Sequence, residues 1–114
     1  MVRKPIIRKV DGLRGGKGSV EFYDIVTEEE FAGRAKMYSM IRILPSSSIG
    51  RHQHVGNTEP YYILSGHGIF EDNDGSRTEV GPGDVCLINF NESHSIENAS
   101  DTENLDLMAL IYNE

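Results

Sequence analysis

Two histidines two residues apart, His52 and His54, followed by Glu59 and closed by Gly66, constrain this chain more than any other stretch. On a β-strand, positions i and i+2 point to one face, so both imidazoles can meet a single ion. Glu59 has the wrong parity for the same strand. Val55-Gly56-Asn57-Thr58 supplies the break, because Gly and Asn tolerate positive φ. Beyond that turn, Glu59, Tyr61 and Ile63 share a face of a new strand. A carboxylate beside Tyr and Ile is costly to bury unless something positive meets it. A metal ion would meet it.

A further histidine, His94, lies far downstream in Asn89-Phe90-Asn91-Glu92-Ser93-His94-Ser95-Ile96-Glu97-Asn98. On a strand, His94, Ile96 and Asn98 share a face, and Glu97 points the other way. Three imidazoles and a carboxylate suit a divalent transition metal. Such a set can form only if the chain closes two distant strands over one interior.

The rest of the sequence agrees with a closed β structure. Strands are expected at Ile6–Val10, Val20–Val26, Met37–Leu44, His52–Val55, Glu59–Leu64, Ile69–Glu71, Arg77–Val80, Val85–Ile88, Ser93–Glu97 and Leu105–Tyr112. Turn residues separate them: Asp72-Asn73-Asp74-Gly75, Gly81-Pro82-Gly83-Asp84 and Asn98-Ala99-Ser100-Asp101. Thr27-Glu28-Glu29-Glu30 reads as a capping box, so one helical turn follows, closed by Gly33. Residues 1–18 read as an N-terminal arm with a flexible glycine loop, and residues 19–114 as one domain. Many short strands with almost no helix predict an all-β sandwich or barrel.

Charge and composition narrow the function. A net charge of −7 disfavours a nucleic-acid partner, and the basic cluster Arg3, Lys4, Arg8 and Lys9 reads as a solvated arm. No stretch approaches the roughly 20 apolar residues of a membrane-spanning helix. The N-terminus lacks the apolar core of a signal peptide. A soluble, cytoplasmic protein is expected, with no membrane partner. The one cysteine, Cys86, excludes an internal disulfide and reads as a buried, inert thiol.

The residues then match a known family. The chain resembles the cupin superfamily, in its small single-domain members. The first cupin motif falls on His52, His54, Glu59 and Gly66, and the second on Gly83, His94 and Asn98. Asn89 stands where the family has Pro, and Asn91 and Ser46 stand where it has Gly. The resemblance runs from about Met37 to Tyr112. It implies a double-stranded β-helix, or jelly-roll barrel, with the metal inside. It also implies a homodimer, in which the N-terminal arm often adds a strand to the neighbour's sheet. It does not imply one reaction.

The expected metal ligands are therefore His52, His54, Glu59 and His94. Manganese or iron is favoured by the mixed nitrogen and oxygen donors, and nickel, cobalt or zinc also fits. Four protein ligands on an octahedral ion leave two positions for a small-molecule substrate. The leading reading is an enzyme acting on a small oxygen-rich anion, by decarboxylase (oxalate-decarboxylase-like), dioxygenase or isomerase chemistry. The other is a barrel that binds a small ligand without turning it over. Arg42, Tyr61 and Glu92 are the candidate catalytic residues. Arg42 either reaches the cavity and grips a substrate carboxylate or extends to solvent at the rim. Tyr61 either walls the cavity or fills core. Glu92 is placed to move a proton if its loop faces inward. Asn98 either orients a ligand or belongs to the following turn. His67, between two glycines, reads as an exposed turn residue.

Overall fold

The computed structural model describes the whole chain, residues 1–114. Eleven strands follow in order: β1 (Ile6–Asp11), β2 (Ser19–Val26), β3 (Ala35–Ile43), β4 (Ser48–Gln53), β5 (Asn57–Thr58), β6 (Tyr61–Ser65), β7 (Gly68–Glu71), β8 (Arg77–Val80), β9 (Val85–Cys86), β10 (Ser93–Asn98) and β11 (Leu105–Asn113). They form a seven-stranded sheet, ordered β1-β2-β3-β11-β6-β9 with β5 on β11, facing a four-stranded sheet ordered β4-β10-β7-β8. This is the expected jelly roll. No helix is long and apolar enough to cross a membrane.

Alternation decides what each sheet buries. Along β3, Ser39, Ile41 and Ile43 are buried while Tyr38, Met40 and Arg42 lie on the outer face. Along β11, Leu105, Leu107 and Ala109 point inward. From the opposite sheet, Ile49, Phe70 and Ile96 complete the core. A period of two with one face apolar is what fixes the register. The capping box also forms: Thr27 accepts from the Glu30 N–H, Glu30 accepts from the Thr27 N–H, and α1 (Glu28–Phe31) ends in left-handed Ala32 and Gly33.

Most expected strands shift by a residue or two at their ends, and three differ in ways that bear on the site or the pairing. The one beginning at His52 starts earlier and stops at Gln53, so His54 lies just past its end. The one placed at Glu59–Leu64 is split, because Glu59 and Pro60 fall between β5 and β6. Proline lacks the N–H a ladder needs, which starts β6 only at Tyr61. The apolar run Val85–Ile88 pairs over Val85–Cys86 alone.

The N-terminal arm is integrated into the barrel. β1 pairs antiparallel with β2 from Ile6↔Asp24 to Asp11↔Ser19. Asp24 fastens the pair: it accepts from Arg8 Nε at 2.8 Å and from the buried Ser39 hydroxyl at 2.6 Å. The glycine loop after β1 is pinned too. It makes a 3-10 turn at Leu13–Gly15 and packs on β4, with Ser48 N donating to the Lys17 carbonyl at 2.9 Å.

The departures from the cupin glycines are explained by backbone geometry. Ser46 has φ 59° and Asn91 φ 68°, so both adopt the left-handed conformation for which glycine is usual. Asn91 compensates, since its side chain accepts from the Gly56 N–H at 2.8 Å. No side-chain bond compensates Ser46. Ser46→Gly is therefore expected to raise stability by about 0.5–1 kcal/mol, the left-handed penalty less the added freedom of the unfolded chain. Chemical denaturation should show a higher midpoint with an unchanged slope.

Candidate metal centre

The four expected ligands meet in the barrel interior. β4 carries His52 directly opposite His94 of β10. A register irregularity between His94 and Ile96 follows, at the place where β10 must aim an imidazole inward. His54 arrives from the end of β4, its N–H held by the Glu92 carbonyl at 2.9 Å. Glu59 sits just before β6 on the same side as the buried Tyr61 and Ile63. His94 is fully buried and Glu59 is 4 % exposed.

The donor atoms converge. His54 Nε2 lies 3.0 Å from His52 Nε2 and 3.0 Å from His94 Nε2. Glu59 Oε1 lies 3.1 Å from His54 Nε2, 3.3 Å from His94 Nε2 and 3.9 Å from His52 Nε2. Nitrogens about 2.1 Å from one ion and at right angles to each other stand about 3.0 Å apart. The other ring nitrogens settle the tautomers. His52 Nδ1 donates to the Gly50 carbonyl and His54 Nδ1 to the Asn57 side-chain oxygen, both at 2.7 Å. With Nδ1 carrying the hydrogen, each neutral ring presents a bare Nε2 lone pair to the centre. Lone pairs this close repel unless a cation sits among them. His52, His54, Glu59 and His94 could thus hold a metal ion.

The electrostatics fit the same conclusion. Burial would raise the Glu59 carboxyl, but the three histidines beside it, each able to donate from Nε2 once protonated, override that and hold the group far below its usual range. Burial pushes His54 down, while the Glu59 carboxylate beside it and Asn57 outweigh that and leave it above its ordinary value. Burial dominates at His94, which is lowered. Tyr61 stacks on His94, with ring centres 4.9 Å apart at 14°, and donates its hydroxyl to Glu59 at 3.1 Å. Burial and the nearby Glu59 charge raise the phenol well above its usual value.

Above these groups lies a cavity of about 180 Å³. Its walls include Phe22, Met37, Ile41 and Ile49, and two arginines, Arg8 and Arg14, reach it from the N-terminal segment. That volume is below the roughly 300–1,000 Å³ of pockets for drug-sized ligands.

Of the candidate catalytic residues, only Tyr61 faces the cavity. Arg42 lies on the outer face of β3, in a bidentate pair with Asp106 of β11 at 2.9 Å and 2.9 Å. Tyr38 and Met40 lie beside it on that outer face, away from the cavity. Glu92 staples its own loop, accepting from the Asn89 N–H at 2.8 Å and the Asn73 amide at 3.2 Å. Asn98 orients no ligand. Its amide donates to the carbonyls of Ile43, Leu44 and Glu103 and ties three chain segments together. Cys86 is a buried free thiol, which burial and nearby acidic groups push up to about 11. His67 is exposed, as expected.

Four site residues lay outside the sequence reading. Asn57 reads from the sequence only as a turn residue, although it stands three positions after His54 and is buried. Gly50 acts through a carbonyl, which no side-chain pattern reveals. Arg8 and Arg14 arrive through long-range docking of the arm.

A buried cluster of three histidines and one glutamate inside a jelly roll defines a class: small β-barrels with a candidate interior metal centre. The chain belongs to the cupin family, whose cupin-domain model matches residues 39–111. It is 41% identical over 103 residues to an oxalate-binding protein of Thermotoga maritima, a match covering 90% of this chain and 84% of the relative. It also resembles the crystal structure of a Thermotoga maritima protein named as a predicted oxalate decarboxylase, with a TM-score of 0.90 and 38% identity, over 100% of this chain and 99% of that one. The cupin domain of Schizosaccharomyces pombe Cnp3 shares the fold at a TM-score of 0.72 and 14% identity, over 99% of this chain and 86% of that one.

A proton and a metal ion compete for the centre. Because the Glu59 carboxylate holds the His54 proton above the ordinary value of about 6.5, competition begins at a higher pH than for a free imidazole. Metal affinity is expected to be full above the raised His54 value and to fall as pH drops through it. Titration of the metal-free protein with manganese(II) at several pH values checks this. A constant affinity from neutral pH down to pH ~5 contradicts it.

Proposed function

We propose that this cupin holds one divalent transition metal on His52, His54, Glu59 and His94, and that the site captures a small dicarboxylate, of which oxalate is the simplest. The observation that carries this reading is the convergence of three imidazole Nε2 atoms on one buried carboxylate, with His52 and His54 protonated on their outward Nδ1. Manganese or iron suits the mixed donor set, and the ion when bound supplies Lewis acidity toward a carboxylate oxygen. The chain's own residues do the rest. Tyr61 fixes Glu59 through its hydroxyl. Phe22, Ile41 and Ile49 wall the cavity and lower the local dielectric, which strengthens each charge interaction inside it. The relative named as an oxalate-binding protein supports the same ligand class.

Binding comes before turnover in this reading. Decarboxylating oxalate to formate and carbon dioxide needs a proton delivered to carbon. Apart from the ligands and arginines, the cavity offers Tyr61 alone, and its hydroxyl is committed to Glu59. Turnover is the second reading, favoured by the likeness to the predicted oxalate decarboxylase. Release of formate from oxalate by the loaded protein decides between the two.

Elemental analysis after expression with several metals is expected to find about one manganese or iron per chain, and below about a tenth of that in His52→Ala/His94→Ala. A metal at a hundred times its Kd should also raise the wild-type stability by about 2.7 kcal/mol, seen as a higher Tm that chelation reverses. Equal metal in wild type and variant contradicts the ligand assignment.

We also infer that two copies pair through the outer face of the larger sheet. There Tyr38, Tyr62, Leu64 and Val85 are exposed around Pro60, Met108 and Leu110, an apolar patch of the kind that marks an interface. Sedimentation should give the dimer mass for the wild type and the monomer mass for Tyr62→Lys/Val85→Lys, with far-ultraviolet circular dichroism unchanged. A monomeric wild type contradicts this.

A further inference from the structure

The cavity has two arginines on its wall, and they are not equivalent. Arg8 is committed: it pairs with Asp24 at 2.8 Å and 3.3 Å, and its guanidinium lies 4.1 Å over the Phe22 ring. Arg14 makes no side-chain hydrogen bond and no ion pair, and it is exposed at the cavity. An unpartnered guanidinium on the same cavity as His52, His54 and Glu59 calls for an anion.

The backbone at Arg14 sharpens the case. It stands at φ 55°, ψ 32°, the left-handed region. Its loop takes that region at three other positions, Gly12, Gly15 and Gly18, and each of those is glycine. A side chain at such a site costs conformational energy that glycine would avoid. A cost of this kind is tolerated where the side chain serves the site.

The loop is also rigidly seated. A Cβ on Gly50 would come within 2.1 Å of the Arg14 carbonyl oxygen, and one on Gly16 within 2.3 Å of the Ser48 carbonyl oxygen. The two backbones therefore interlock without side chains between them. Gly50 also accepts the His52 Nδ1 hydrogen at 2.7 Å. One residue thus fixes both a candidate metal ligand and the base of Arg14.

We propose that Arg14 grips the distal carboxylate of a dianion whose other carboxylate occupies the metal, and so selects dicarboxylates over monocarboxylates. This rests on the metal-centred reading above and adds the residue that sets the ligand's charge and length. A divalent ion less the Glu59 charge leaves one positive charge, and Arg14 adds a second, matching a dicarboxylate. A guanidinium presents two parallel N–H donors to a carboxylate, which a lysine does not.

Calorimetric titration of the full-length, manganese-loaded protein with oxalate and with acetate tests the idea. Arg14→Gln is expected to weaken oxalate roughly 10- to 100-fold, the worth of a charge-assisted hydrogen-bonded contact, and to change acetate by about twofold or less. Its metal content should equal the wild type's. Arg14→Gly should lose the same oxalate affinity while its Tm matches or exceeds that of the wild type, which separates the side chain's role from folding. Arg14→Gln binding oxalate as the wild type does overturns the Arg14 assignment alone. Equal weakening of oxalate and acetate also overturns it, because Arg14 would then act on the first carboxylate or on the ion. Loaded wild type that binds neither anion overturns the metal-centred reading and the Arg14 assignment with it.

Discussion

Everything in this barrel defers to one electrostatic problem, the crowding of three imidazole Nε2 atoms and one carboxylate oxygen into a buried space a few ångströms across. Hydrophobic burial alone would not assemble such groups, because each loses hydration on entering the interior. The fold solves the problem by fixing the outward nitrogens first. The Gly50 carbonyl and the Asn57 side chain take the Nδ1 hydrogens of His52 and His54, so the inward nitrogens have no freedom to turn away. Tyr61 does the equivalent for Glu59 and stacks on His94. His94 Nδ1 has no partner, so packing between Tyr61 and Phe70 holds the outer part of that ring. The polar interior is thus held by an outer layer of contacts, and the apolar core surrounds that layer.

The topology follows from the same need. His52 and His94 must face each other across neighbouring antiparallel strands, and β4 and β10 place them in register. Glu59 must enter from the opposite sheet, and the break at Glu59–Pro60 lets the chain deliver a carboxylate inward before β6 resumes its ladder with β11. A continuous strand through Glu59 would have satisfied the backbone equally well. Proline removes that option, because it cannot donate to a ladder.

The sequence carries the ligands and the fold class unevenly with the rest of the site. The clustering of the candidate ligands His52, His54, Glu59 and His94 is legible because a donor set imposes chemistry and spacing together, and strand parity turns spacing into direction. The helical turn was legible from Thr27 and Glu30 alone. Arg42 was not. Both faces of β3 are largely apolar, so parity cannot say which is inside, and the answer depends on Asp106, which is 64 residues away in the chain. Glu92 stays open in the sequence for a related reason: on a loop there is no period to read, and its carboxylate accepts from the nearby Asn89 N–H. Asn57 and Gly50 act through a hydrogen bond to a ligand's far side. A small residue near a histidine carries little signal of that, since the same residues make ordinary turns.

The N-terminal segment changes how the barrel should be understood. The cupin domain match spans residues 39–111, and all four candidate ligands lie within it. Leu13, Arg14 and Phe22 lie outside it, yet they wall the same cavity. The cupin-domain portion therefore supplies the candidate ligands, while the preceding segment supplies part of the cavity wall and its two arginines. The protein as a whole carries a net charge of −7, which opposes an approaching dianion over about a Debye length. Inside the cavity the balance would reverse with an ion bound, because a divalent cation and the Arg14 guanidinium outweigh the Glu59 charge. A barrel whose centre is general and whose wall is local can change ligand by changing the wall, without touching the histidines. A division of that kind is one way for a single fold to support many activities.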